Sequence, residues 1–217
     1  MKKIVLLLLT ALSFSFAQAQ MPQIGIKLGV NYSNLAGDLQ HEDINDNKLG
    51  LVGGIGTSFP LMSDGFLSIA PELLYSQKGY QYTDDEFKIG NVTYKRKGDI
   101  RYEYLDLPVL LKVNAGGLFF EAGPLASYLL GIRDNTETKE GSKDYEKTTV
   151  VSKGNLNKFE IGYAAGLGYL TPLGLSLNLR YNGSISHLAK DDNDDELGNS
   201  RHSLFQLTVG YMVGGSE

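Results

Sequence analysis

The sequence predicts an all-β protein: an eight-stranded, antiparallel, up-and-down transmembrane β-barrel. Three observations carry the prediction. Several segments alternate apolar and small polar residues with period 2, which puts the two sets on opposite faces of a strand and would scatter them around a helix. The connections between those segments alternate between short and long. Finally, the 217 residues hold 26 Gly and 13 Tyr but no Cys and no Trp, a balance that suits close strand contacts and amphipathic rings. Without Cys there is no disulfide framework, thiol catalysis or thiolate-bound zinc.

Residues 1–19 read as a signal peptide. Lys2 and Lys3 form a basic start, Ile4 to Leu9 is an unbroken apolar run, and Ala17-Gln18-Ala19 matches a small-x-small cleavage site. Cleavage leaves residues 20–217 as the barrel domain. The apolar run is short for a retained anchor, and no Cys follows the site to carry a lipid. Losing the two lysines takes the net charge from -5 to -7, a balance that argues against nucleic acid as the main partner.

The strands follow in order. Residues 23–34 set Ile24, Ile26, Leu28, Val30 and Tyr32 against Gly25, Lys27, Gly29, Asn31 and Ser33. Residues 157–171 set Phe159, Ile161, Tyr163, Ala165, Leu167 and Tyr169 against Lys158, Glu160, Gly162, Ala164, Gly166 and Gly168. Residues 173–182 set Leu173, Leu175, Leu177, Leu179 and Tyr181 against Gly174, Ser176, Asn178, Arg180 and Asn182. Residues 203–213 set Phe205, Leu207, Val209, Tyr211 and Val213 against Leu204, Gln206, Thr208, Gly210 and Met212. Less regular strands fit 49–59, 66–82, 99–113 and 118–131, which makes eight.

Short connections near 60–65, 114–117 and 171–174 hold the Gly, Pro and Asn that tight turns need. Long polar ones lie near 35–48, 84–98, 132–156 and 188–201. Short turns at one end and long loops at the other are the layout of an outer-membrane barrel. An even strand count puts both termini at the short-turn end. Beyond the signal no 18-residue apolar stretch exists: even 105–132 contains Asp106, Lys112, Asn114 and Glu121. That excludes transmembrane helices.

Period alone does not decide which face is wet. A soluble barrel buries its apolar phase, whereas a membrane barrel turns it outward. Three features select the membrane version. The polar phase is mostly Gly, Ser, Asn and Ala, too poor in charge for a water-facing wall and small enough for a narrow lumen. Aromatic residues on the apolar phase form two groups. Tyr32, Tyr75, Tyr128, Tyr163 and Tyr181 lie toward the long loops, and Phe59, Tyr169 and Tyr211 toward the short turns. Such rings are expected as lipid-facing girdles at both interfaces. Most charges fall in the long loops.

The polar phase also carries Lys27, Glu72, Lys112, Glu121, Glu160 and Arg180. Counting from the turn at 114–117 sets Lys112 opposite Glu121, and counting from 84–98 sets Glu72 near residue 110. A structural lumen cluster of Lys27, Glu72, Lys112, Glu121 and Arg180 is expected, because unpaired buried charge is costly.

Four segments in order resemble the PorT-like outer-membrane β-barrel family. They are Gly25-Ile26-Lys27-Leu28-Gly29-Val30-Asn31-Tyr32-Ser33-Asn34, Pro71-Glu72-Leu73-Leu74-Tyr75-Ser76-Gln77-Lys78-Gly79, Tyr104-Leu105-Asp106-Leu107-Pro108-Val109-Leu110-Leu111-Lys112 and Glu121-Ala122-Gly123-Pro124. The resemblance spans essentially the whole mature chain. It implies an eight-strand barrel in the outer membrane of a Gram-negative bacterium and a link to protein secretion, although activity does not transfer with fold. One departure is the end of the last strand. Tyr211-Met212-Val213 is followed by Gly214-Gly215-Ser216-Glu217 in place of a terminal aromatic.

Candidate catalytic and metal sites are weak. His41, His187 and His202 are the only histidines, and Ser184, Ser186 and Ser203 lie near the last two. A Ser–His–acid lipid hydrolase at the rim is therefore one alternative. The acidic run 191–196 lacks the Gly and the spaced Glu of an EF-hand loop. No phosphate-binding Gly loop appears. The expected protein is thus a non-enzymatic integral outer-membrane barrel with a filled lumen and no cofactor. Its partners are outer-membrane lipid and, through the long loops, other envelope or secretion proteins. The second alternative is a soluble periplasmic barrel holding an apolar ligand inside, which requires Leu175, Leu177 and Leu179 to face inward.

Overall fold

The computed structural model describes residues 22–37, 45–89, 92–140, 143–150, 156–189 and 200–214. Among them run nine strands: β1 (Gln23–Ala36), β2 (Asn45–Pro60), β3 (Leu67–Ile89), β4 (Val92–Ala115), β5 (Leu118–Glu140), β6 (Lys143–Val150), β7 (Phe159–Leu170), β8 (Leu175–Ser184) and β9 (Arg201–Val213). Every pairing is antiparallel. Eight strands close a ring in the order β1-β2-β3-β4-β5-β7-β8-β9, with β9 returning to β1. Closure leaves the ring without an edge. No helix among the described residues is long and apolar enough to cross a membrane.

The ninth strand corrects the expected loops. The segments 84–98 and 132–156, read as connections, are largely strand. β3 and β4 stay paired out to Ile89 and Val92, and β5 continues to Glu140, where it pairs with β6. At about 3.3 Å per residue the 23 residues of β3 span about 75 Å. A tilted crossing of an apolar band about 25 Å tall uses about ten residues. The upper halves of β3, β4 and β5, with β6, therefore form a ribbon standing beyond the barrel. Thr, Tyr, Val and Ile favour strand there even without an apolar phase, and polarity alone had suggested a loop. A smaller correction is Leu173, which lies in the turn before β8 and not in the strand.

The turns show why the short end is short. Ala115 pairs directly with Leu118, so Gly116 and Gly117 form a two-residue hairpin loop. Their φ values of +62° and +94° are conformations open to glycine. Both ends of the described chain return to this side. Ile24 pairs with Val213, and the Met212 amide donates to the Gly174 carbonyl at 2.8 Å.

The alternation has one consistent sense. Leu175, Leu177 and Leu179 are 48, 54 and 47% exposed, while Arg180 is 1% exposed. The apolar phase faces out and the polar phase faces in, around the ring. Packing of the interior changes with height. Phe119 and the small cluster Ala70, Leu110 and Ala164 fill the lower part. At the long-loop end Leu35, Tyr102, Tyr104, Leu129 and Ile132 pack with Leu156 and Leu188 from the connections. An isolated bridge from Leu156 to Ala189 and two bonds from the Asn157 side chain to the His187 and Ala189 carbonyls tie those connections over the lumen.

Candidate functional site

The polar faces of the strands meet inside the ring and sort into two ionic layers. The lower one centres on Arg180 of β8. Its Nη1 and Nη2 donate to Glu72 Oε2 and Oε1 of β3 at 2.9 and 3.0 Å. Its Nε donates to Glu121 Oε1 of β5 at 2.7 Å. Lys27 of β1 donates to Glu72 Oε1 at 2.5 Å, and Asn178 of β8 to Glu121 Oε1 at 2.7 Å. All five are buried. Bidentate guanidinium–carboxylate geometry is the strong form of this contact. Here it spans the lumen, since Glu72 and Arg180 lie 108 residues apart on strands that are not neighbours.

Two expected details differ. Lys112 is the register partner of Glu121, yet its Nζ sits 3.7 Å from the centroid of the Phe119 ring instead of in the ion-pair network. Glu121 is already engaged by Arg180 and Asn178, so the aromatic face is the remaining favourable place for that ammonium. Glu72 falls between the pairs Pro71–Val109 and Leu74–Asp106, nearer residue 108 than 110. Counting from 84–98 misses the register shift between Tyr82 and Asp85.

The upper layer was not expected as a unit. Lys78 of β3 is fully buried, 3.2 Å from Asp106 Oδ1 of β4 and 3.3 Å from Glu160 Oε1 of β7. It also donates to Ser127 Oγ of β5 at 3.1 Å and lies 4.5 Å from the Tyr104 ring centroid. Glu160 belongs here and not to the lower layer. His202 of β9 closes the group: its Nε2 is 3.8 Å from Glu160 Oε2 and 3.4 Å from the Tyr104 hydroxyl, and the Tyr102 ring meets it edge-on at 5.1 Å. Lys78, Asp106 and His202 share the inward phase of their strands, so parity alone was enough to find them. The lower layer sets Lys27, Lys112 and Arg180 against two glutamates, and the upper sets Lys78 against Asp106 and Glu160. Neither layer balances alone, but together these cations and acids do. Between the layers Asn31 donates to Ser76 Oγ at 2.9 Å and Asn182 to Gln206 Oε1 at 2.8 Å. A cavity of about 10 Å³ lies beside Lys27, Glu72 and Glu121. It has room for about one water and for no larger solute.

Among the described residues no serine–histidine dyad is formed. His202 is inside, against Tyr104 and Glu160. His187 Nε2 accepts from Arg201 Nη2 at 2.7 Å on the rim. Ser203 bonds the Tyr181 hydroxyl at 3.0 Å, and Ser186 accepts from the Ile161 amide at 2.7 Å. His41 and the acidic run 191–196 lie outside the described residues.

Aromatic rings stand on the outer wall at two levels. Toward the long loops, pairing sets Tyr75 and Tyr128 on either side of Leu105, and Tyr128 packs on Phe159 at 4.9 Å. Tyr163, Tyr181 and Phe205 continue the row at 6.1 and 5.3 Å, and Tyr32 is the register partner of Phe205. Tyr75 and Tyr128 lie in mid-strand and not at strand ends, because β3 and β5 run on into the ribbon. Toward the short turns, Tyr169 pairs across to Leu177 and Tyr211 to Leu175.

An apolar outer wall around a closed, ion-paired lumen is the arrangement of an integral membrane barrel. The chain belongs to the outer membrane protein beta-barrel domain family, whose model matches residues 16–190. It is an outer-membrane protein, and its apolar wall lies in lipid. The soluble ligand-carrying alternative is thereby overturned, since Leu175, Leu177 and Leu179 point away from the interior. No curated protein is similar to the chain in sequence. Among solved structures, Ail of Yersinia pestis is 11% identical over 88% of this chain and 98% of its own, with a TM-score of 0.45. Neisserial surface protein A is 13% identical over 87% and 96%, with a TM-score of 0.45. OprG of Pseudomonas aeruginosa is 9% identical over 91% and 97%, with a TM-score of 0.38.

Two substitutions test the two faces. Arg180→Ala leaves Glu72 with Lys27 as its remaining ion-pair partner and Glu121 with only the Asn178 amide, and the folded barrel should lose about 3–5 kcal/mol in urea titrations in lipid vesicles. Leu177→Arg puts a charge on the lipid wall and should cost about 2–4 kcal/mol in the same assay. An unchanged midpoint for Leu177→Arg would mean that this wall meets water.

Proposed function

We propose that the protein is a non-catalytic, PorT-like outer-membrane barrel whose work is done by its long-loop end, in contact with envelope or secretion proteins. On this reading residues 1–19 are removed on export. Lys27, Glu72, Lys112, Glu121 and Arg180 lock the strands together, and Tyr32, Tyr75, Tyr128, Tyr181, Tyr169 and Tyr211 anchor the barrel at the two lipid interfaces. The single observation that carries the reading is the ribbon of β3, β4, β5 and β6. A barrel needing only to span lipid has no use for strands about twice the crossing length, whereas a projecting sheet offers a partner a broad polar face. The filled lumen supports the same view, because transport would need a path through it. The link to secretion comes from the resemblance of the four segments quoted above.

The test is to replace 84–98 and 132–150 by short hairpin turns. The shortened protein should still migrate differently before and after boiling and should stay in the pellet after a carbonate wash. It should also lose its cross-linked envelope partners, and cells carrying it should release less secreted protein. Unchanged partners and secretion would sink the contact role. Loss of lipid A deacylation in His187→Ala or His202→Ala cells would restore the hydrolase alternative.

A further inference from the structure

The outer wall carries a pair of arginines that the ion-pair scheme of the lumen leaves unused. Arg101 of β4 and Arg133 of β5 are direct register partners. Both follow the outward phase of β4, the one that also holds Leu107, Leu105 and Glu103. Like charges facing each other across a ladder repel, so the two arginines call for more anionic charge than the one carboxylate, Glu103, that meets Arg133. The acids on the flanking positions of β4 are already engaged. Glu103 accepts from Arg133 Nε at 3.1 Å. Asp99 is paired with Lys48 and accepts from Asn135 Nδ2 at 3.3 Å. Arg101 forms no ion pair among the described residues, and its Nε is buried without a hydrogen-bond partner. Arg133 remains 54% exposed on its side chain.

Height selects the anion. Leu105, the residue flanked by Tyr75 and Tyr128 in the upper aromatic row, lies four positions after Arg101 along β4, on the membrane side of it. That separation is about 13 Å along the strand and about 10 Å along the membrane normal for a strand tilted near 40°. The pair therefore stands just above the apolar wall, at the level of lipid headgroups, facing outward. We propose that Arg101 and Arg133 form a binding site for the phosphate of an anionic lipid headgroup in the leaflet on the long-loop side. In the proposed site both guanidinium groups donate to one phosphate group, a ligand for which arginine is better suited than lysine.

The experiment compares full-length folded protein and its variants in mixed micelles containing phosphatidic acid or phosphatidylcholine, with retained lipid read by native mass spectrometry. The wild type should retain phosphatidic acid over phosphatidylcholine, and R101Q/R133Q should retain about tenfold less. The single variants R101Q and R133Q should each fall between. R201Q, a rim arginine bonded to His187, should behave as wild type. Heat-modifiable migration confirms folding of each variant independently of lipid binding. Equal retention by R101Q/R133Q, equal retention of phosphatidylcholine, or an equal loss in R201Q would overturn the proposal. Full displacement of phosphatidic acid by inorganic phosphate at matched concentration would reassign the pair to free phosphate and would overturn the lipid assignment.

Discussion

Arg180 is the cation on which the lower lumen converges, and the geometry of the whole barrel bears on it. A guanidinium taken from water into a narrow interior is tolerable only if its donors are met by acceptors that cannot move away. Glu72 and Glu121 supply them from β3 and β5, across the lumen from β8. The contact forms only when the ring has closed with the observed register. A slip of one residue on any of the three strands would turn one of these charges outward into lipid. The ion pairs therefore select a register as well as stabilise it.

The same constraint explains why the two layers differ. The lower layer lies among small inward residues, with glycine and serine on the adjacent faces, so long charged side chains can reach across. The upper layer lies against Tyr102, Tyr104 and His202, where rings narrow the space and Lys78 is held by short contacts to three strands besides its own. Above it Leu156 and Leu188 close the end with apolar surface. Polar interior, aromatic collar and apolar lid form a continuous filling, and this is why the long-loop end and not the lumen is the site of proposed contact.

Outside, height along the strand orders the chemistry. Aliphatic side chains occupy the middle, aromatic rings border it, and Arg101 and Arg133 stand beyond the rings. Each level matches the polarity of the bilayer at that depth. The ribbon of β3 to β6 then continues into water, where its strands need no apolar phase.

Much of this was legible in the sequence. Alternation in 23–34, 157–171, 173–182 and 203–213 separates the two faces of each strand, because side chains alternate strictly along a strand, and the small, charge-poor polar phase marks which of them fills the lumen. The hairpin at Gly116-Gly117 is local, so the Lys112–Glu121 register could be counted. What parity offered but counting missed was Lys78, Asp106 and His202, since Asp106 read as an interruption of an apolar run and His202 as a rim residue. Other features were beyond the sequence. Leu156 and Leu188 sit in polar connections and become a lid only through contacts with distant strands. The ribbon carries no periodic apolar signal. The meeting of Arg180 with Glu72 and of Lys78 with Glu160 depends on the stagger of a closed ring. The sequence by itself determined which face of each strand is greasy and which is polar, because that property is local and has period 2. Only the tertiary structure decided which polar residues touch, because closure brings together strands whose separation along the chain says nothing of their distance across the lumen.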